Sequence, residues 1–177
     1  KLDLWENKIT SIEAGHFDDL TSLKVLDLGV NQISSLPENI FDMKKIYLYD
    51  NQLKSLPAHL FKNNRKLVKI YLGDNQIEEI HSNFFADLTE VEVLGLSENK
   101  ISNLPTNLFK DLTKLKEIHL DRNNFKVLSK EFFEFNKKLQ KIHLSSNQLE
   151  KMGMENLKCV DLKVNICIYK YFGRFQF

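Results

Sequence analysis

Leu67-Val68-Lys69-Ile70-Tyr71-Leu72-Gly73-Asp74-Asn75-Gln76-Ile77 decides the fold. It returns as Val91-Glu92-Val93-Leu94-Gly95-Leu96-Ser97-Glu98-Asn99-Lys100-Ile101, and again as Leu115-Lys116-Glu117-Ile118-His119-Leu120-Asp121-Arg122-Asn123-Asn124-Phe125. In each copy, apolar residues at the fourth and sixth positions alternate with variable ones. That is the period-two signal of a strand with one buried face. Ile70, Leu72, Leu94, Leu96, Ile118 and Leu120 are therefore expected to point inward.

The Asn that follows each strand recurs as Asn7, Asn31, Asn51, Asn75, Asn99, Asn123, Asn147 and Asn165, and Asn75, Asn99, Asn123 and Asn147 are spaced 24 residues apart. Self-similarity at such a period marks a solenoid. A buried turn leaves backbone N–H and C=O groups without sheet partners. An Asn amide has donors and an acceptor, so a stack of them satisfies those groups from one turn to the next, where Asp would bring buried charge.

A second column follows. Leu36-Pro37, Leu56-Pro57 and Leu104-Pro105 share one place in the repeat and hold every proline of the chain. Then come Phe17, Phe41, Phe61, Phe85, Phe109 and Phe133, read as rings stacked beneath the convex face. No long helical periodicity separates Phe from the next strand, so that side is expected to be irregular with short 3₁₀ pieces.

The whole unit, L-x-x-L-x-L-x-x-N-x-L-x-x-L-P-x-x-x-F-x-x-L-x-x, resembles the "typical" class of leucine-rich repeat from Lys1 to about Cys167. The resemblance implies an α/β-type repeat solenoid: a leucine-rich repeat horseshoe with a parallel concave β-sheet of about eight strands and a mostly irregular or 3₁₀ convex side. It further implies an extracellular protein that binds proteins or other ligands on the concave side without enzymatic activity. The closing Asn165-Ile166-Cys167 resembles the terminal repeat of secreted arthropod leucine-rich repeat proteins, including insect immune ones. The expected organisation is a solenoid over residues 1–167, its first copy truncated, and an aromatic tail over 168–177 folded back as a cap. Lys1 falls inside a repeat with no cysteine-rich cap before it, so a piece of a longer chain is expected.

The frame breaks at identifiable places. Asn31 to Asn51 is 20 residues, and the loss follows Phe41, so Met43 takes the first leucine position of the next strand. Asn64 and Asn136 replace the convex leucine seen at Leu20, Leu88 and Leu112, and are expected to be soft spots in the wall. Asn147 to Asn165 is 18 residues, with Met152 and Met154 as adaptable fillers. Cys159 maps to a concave position and Cys167 to an inward one, which argues against a bridge between them. Cys167 either pairs beyond the chain or is a buried thiol.

Composition bounds the partners. Twenty-five basic residues are scattered against 24 acidic ones, for a formal charge of +1. That gives nucleic-acid binding little support, and no stretch is long and apolar enough to span a membrane. No N-x-S/T sequon, phosphate loop or nucleophile–base pairing appears, and no cofactor is implied.

Strands lie about 4.8 Å apart, so residues at one frame position form a row across the sheet. The fifth-position row is Asp3, Asp27, Tyr47, Tyr71, Gly95, His119, His143 and Asp161. The seventh is Trp5, Gly29, Tyr49, Gly73, Ser97, Asp121, Ser145 and Lys163, and the eighth includes Glu6, Asp50, Asp74, Glu98 and Arg122. Tyr47, Tyr49 and Tyr71 cluster between Asp50 and Asp74 beside the shortened turn; tyrosine offers large contact area with a polar tip and few rotors. His119 and His143 are neighbours, with Asp121 diagonal and Asp161 next; two imidazoles and a carboxylate could hold Zn²⁺, but no spacing motif backs a metal, so the expected reading is two solvated histidines paired with acids and titrating near neutral pH, with no metal ligand assigned. Gly29, Gly73 and Gly95 are expected to open shallow notches. The expected ligand-binding set is Trp5, Tyr47, Tyr49, Asp50, Tyr71, Asp74, His119, Asp121, Arg122 and His143, facing a protein partner. A spacer or oligomerisation module, forming a homo-oligomer, is the competing class, and a metal-dependent enzyme using His119 and His143 a third.

Overall fold

A computed structural model describes residues 1–38, 40 and 43–153, with Lys130 and Lys151–Gly153 described by backbone alone. The strands are β1 (Leu2–Asp3), β2 (Val25–Asp27), β3 (Lys45–Tyr47), β4 (Lys69–Tyr71), β5 (Val93–Gly95), β6 (Glu117–His119), β7 (Val127–Ser129), β8 (Lys141–His143) and β9 (Lys151–Gly153). Seven of them form one sheet in the order β1-β2-β3-β4-β5-β6-β8, and each pairs its neighbour in parallel. This is the parallel-sheet solenoid of a leucine-rich repeat horseshoe. A separate parallel pair, β7 with β9, lies after the ladder asparagines; the sequence pattern did not announce it.

The alternation in sequence becomes the alternation of burial. Leu26, Ile46, Ile70, Leu94 and Ile118 at the fourth position, and Leu28, Leu48, Leu72, Leu96 and Leu120 at the sixth, are all buried. The asparagine ladder closes the turns as expected. Asn99 Nδ2 donates to Leu72 O of the preceding turn at 3.0 Å and to Leu96 O and Ser97 O of its own. Its Oδ1 accepts the Ile77 amide at 3.0 Å. Asn31, Asn51, Asn75 and Asn123 repeat the arrangement. The residue before each ladder Asn turns left-handed: Glu6, Val30, Asp50, Asp74, Glu98, Arg122 and Ser146 all have φ of 53–56° or, for Asp74, 50°. For Val30 this is costly, since a β-branched side chain crowds the backbone there.

On the other side Phe61, Phe85 and Phe109 are buried, with Phe133 close behind. Phe85 and Phe109 lie 6.1 Å apart, Phe109 and Phe133 5.8 Å, and Phe84 wedges edge-on between Phe61 and Phe85. Truncating such a ring costs about 3–5 kcal/mol. Among the described residues the connecting segments are turns with i→i−3 hydrogen bonds, and a single 3₁₀ helix spans Lys130–Phe133.

The shortened turn keeps the register. Leu26 faces Ile46 across 20 residues as squarely as Ile46 faces Ile70 across 24, and Met43 is buried at the first leucine position. In complete turns, the amide at that position donates to the carbonyl three residues back: Leu23 to Leu20, Leu67 to Asn64, Val91 to Leu88, Leu115 to Leu112. In the short turn the Met43 amide donates instead to Asn64 Oδ1 at 3.2 Å, while Asn64 Nδ2 donates to Ile40 O at 2.8 Å. Asn64 is fully buried. The expectation of soft spots is thus corrected: Asn64 supplies the pairing that four missing residues took away. Asn136 is also buried, with Nδ2 on Phe109 O and Leu112 O at 2.9 Å each, but its Oδ1 has no partner among the described residues. Leu20, beside the short turn, is 41% exposed, whereas Leu88 and Leu112 are fully covered.

Phe41, Met154, Cys159, Asp161, Lys163, Asn165, Cys167 and the tail over 168–177 lie outside the described residues, as does the expected cap.

Candidate functional site on the concave face

The strands project the third, fifth and seventh frame positions from the concave face, because the fourth and sixth are taken by the core. Tyr47 and Tyr71 are register partners on β3 and β4. Their rings stack at 5.1 Å with planes 5° apart. The Tyr71 ring leans over Gly95, where an added Cβ would come within 2.9 Å of Tyr71 Cδ1. Burial, and then the Glu117 carboxylate, push the Tyr71 phenol above its ordinary pKa. Tyr49 lies over Gly29: a Cβ there would meet Tyr49 Cζ at 2.6 Å. Burial and then Asp27 raise the Tyr49 phenol, opposed by a hydrogen bond from the indole of Trp5. Trp5 remains 46% exposed. The glycines were expected to leave notches. Gly29 and Gly95 instead give floor space to the protein's own tyrosines, and Gly73 lies close to the backbone, its would-be Cβ 3.2 Å from Ser97 O.

The eighth-position residues, being left-handed, carry their side chains at the edge of this face. Asp50 and Asp74 are both exposed; partial desolvation, then Asp50 and Glu98, raise the Asp74 carboxyl above its usual value. Arg122 is tied to Glu98, Nη1 to Oε1 at 2.9 Å. Asp121 accepts the Ser97 hydroxyl at 2.9 Å.

His119 and His143, register partners on β6 and β8, stack at 4.2 Å with planes 1° apart. The carboxylate that joins them is Glu117, not the diagonal Asp121. Glu117 Oε1 lies 3.1 Å from His119 Nε2 and 3.3 Å from His143 Nε2, while its Oε2 lies 3.4 Å from Lys141 Nζ. Desolvation pulls the Glu117 carboxyl up, but His119, Lys141 and the hydrogen bonds outweigh it and the net shift is down. Burial, then His143, lower the His119 imidazole. Glu117 lies outside the fifth, seventh and eighth rows, where the sequence pattern concentrates aromatic and charged side chains. The third row points the same way and carries Lys45, Lys69, Glu117 and Lys141. Lys45 and Lys69 are register partners beside the tyrosine pair.

The concave face therefore has two stacked ring pairs in one row, separated by Gly95, with Trp5 and Tyr49 forming a further aromatic group at the β1 end. Together with the asparagine ladder this defines the class, and the family model described as Leucine rich repeat matches residues 1–44, 41–101, 89–149 and 113–165. The chain belongs to the leucine-rich repeat family. Among solved structures it is similar to TLR13 in the TLR13–ssRNA13 complex, at 27% identity and a TM-score of 0.75 over 81% of this chain. It also shares its fold with the Toll–Spatzle complex of Drosophila, at 23% identity and a TM-score of 0.71 over 85% of this chain. The chain spans 21% and 24% of the length of those two structures.

Proposed function

We propose that this chain is a non-catalytic recognition module that docks a protein partner on its concave face, with Trp5, Tyr47, Tyr49 and Tyr71 as anchors. The observation that carries the reading is the Tyr47–Tyr71 stack, half-buried yet facing outward and held in place by the space over Gly95. Rings already ordered in the free protein lose little freedom on binding. Lys45 and Lys69 flank the pair on one side and Asp50 and Asp74 on the other, so a partner meets opposite charges across an aromatic centre. His119, Asp121, Arg122 and His143 extend the surface toward β8.

The parent is read as a cell-surface receptor or secreted innate immune protein, a reading supported by family membership and the 27% identity to TLR13. Among the described residues no helix is long and apolar enough to cross a membrane. That relative is paired with ssRNA; here 25 basic residues offset by 24 acidic ones favour a protein partner.

The test selects a display library of secreted protein domains against the chain, then titrates each binder against Tyr49→Ala and Tyr71→Ala, with folding followed by circular dichroism. Affinity should fall at least about tenfold in folded variants. Binders that hold both variants as tightly as the parent place the site elsewhere. A stable symmetric dimer in sedimentation, with no binders selected, would favour the spacer or oligomerisation role.

A further inference from the structure

The geometry points to a divalent transition-metal site formed by Glu117, His119 and His143 on the concave face. One ligand atom from each residue lies within 4.8 Å of the others. The distances from Glu117 Oε1 to His119 Nε2 and His143 Nε2 are 3.1 and 3.3 Å. Zinc bonds of about 2.0–2.1 Å in a tetrahedron put neighbouring ligand atoms about 3.3–3.4 Å apart. The carboxylate is thus already spaced from both imidazoles as a zinc ligand would be.

Three further features fit. Lys141 holds Oε2 and leaves Oε1 turned to the imidazoles, the kind of outer contact that orients a ligating carboxylate. The three residues are partly exposed, with side chains 26–31% accessible, so an ion can enter and a fourth position stays open to water. Two nitrogen donors with one oxygen select a zinc-like ion over calcium or magnesium, which prefer all-oxygen shells. Binding asks both rings to rotate out of their parallel stack. The rings are parallel, so each turns about its outer torsion, which is broad for imidazole, to bring its Nε2 onto the ion. In the free protein each Nε2 donates its proton to Glu117 Oε1, so metal binding moves that proton to Nδ1 through solvent and leaves the ring neutral.

The test is calorimetric titration of the chain with ZnCl₂ at neutral pH, and visible absorption with Co²⁺ as a geometry reporter. One ion per chain is expected, with a tetrahedral or five-coordinate cobalt spectrum. Glu117→Gln, His119→Gln and His143→Gln should each weaken binding at least about tenfold. His16→Gln, which removes the separate His16–Glu13 pair, should leave it unchanged. On the unaltered protein, zinc should shift the imidazole NMR signals of His119 and His143 together, which keeps the test decisive if a variant fails to fold. Absence of heat and of imidazole shifts overturns the site. So does zinc binding that survives all three folded variants or disappears with His16→Gln.

Discussion

Replacing Asn64 by Leu restores the family pattern at that position, and consensus reasoning would expect a gain in stability. The structure predicts a loss. Asn64 Oδ1 is the acceptor for the Met43 amide and its Nδ2 a donor to the Ile40 carbonyl, in a fully buried position. Among the described residues neither backbone group has another partner, so leucine orphans both, at about 1–3 kcal/mol each. The added apolar burial returns about 2 kcal/mol. The net expectation is destabilisation by about 2 kcal/mol. Asn136→Leu is the control. Its two carbonyl partners have other donors, since Phe109 O also accepts the Leu112 amide and Leu112 O the Leu115 amide. Its own Oδ1 has no partner among the described residues. Removing it orphans nothing, so Asn136→Leu should be neutral or stabilising by about 1–2 kcal/mol. Urea denaturation followed by far-UV circular dichroism gives both values, and hydrogen exchange at the Met43 amide locates the effect. Equal changes in the two variants, or a gain for Asn64→Leu, would refute the idea that Asn64 compensates for the short turn.

Val30→Asn should stabilise the chain by about 1 kcal/mol, because Asn tolerates the left-handed backbone that Val30 adopts at φ 54°; denaturant midpoints measure it, and a drop would mean that Val30 packing outweighs its strain. Gly95→Ala places a methyl 2.9 Å from Tyr71 Cδ1 and should expel that ring from its stack on Tyr47, costing about 1 kcal/mol; unchanged tyrosine ring NMR shifts would contradict it. Acid should weaken the His119 region. Burial and then His143 lower the folded pKa of that imidazole from 6.5, opposed by Glu117 and Asp121. Its stabilising contribution is therefore complete above the unfolded value and lost as pH falls through the folded one. Glu117, lowered from 4.5, adds a second loss of the same sign at lower pH. A thermal midpoint in His119→Gln that falls with acid as steeply as in the parent, between about pH 7.5 and 5, would count against this.

The ladder, the core rows and the phenylalanine column were legible because each answers a demand met once per repeat: a buried strand face, an unpaired turn, a wall to fill. The register across the short turn followed from the same frame. The site was legible only in outline. Tyr47, Tyr71, His119 and His143 were placed in one row correctly, since adjacency in a sheet follows from position alone. That Tyr49 covers Gly29 and Tyr71 covers Gly95 depends on side-chain torsions and on space left by a neighbour, neither of which a pattern carries. Glu117 was in plain view in the third row. Asn64 looked like a defect because a substitution shows in sequence whereas the backbone bond it replaces does not.

The pairing of Leu26 with Ile46 across a shorter interval than every neighbouring pair has a wider meaning. The repeat behaves as two halves that can be edited independently. A loss of four residues in the outer half leaves unchanged which side chains sit beside one another. Single-residue changes in the inner half rewrite the chemistry at one address. Wall length and recognition are thus separate design variables in this scaffold, and a loop graft opposite β2 and β3 should be accepted where the same insertion next to a ladder asparagine would not.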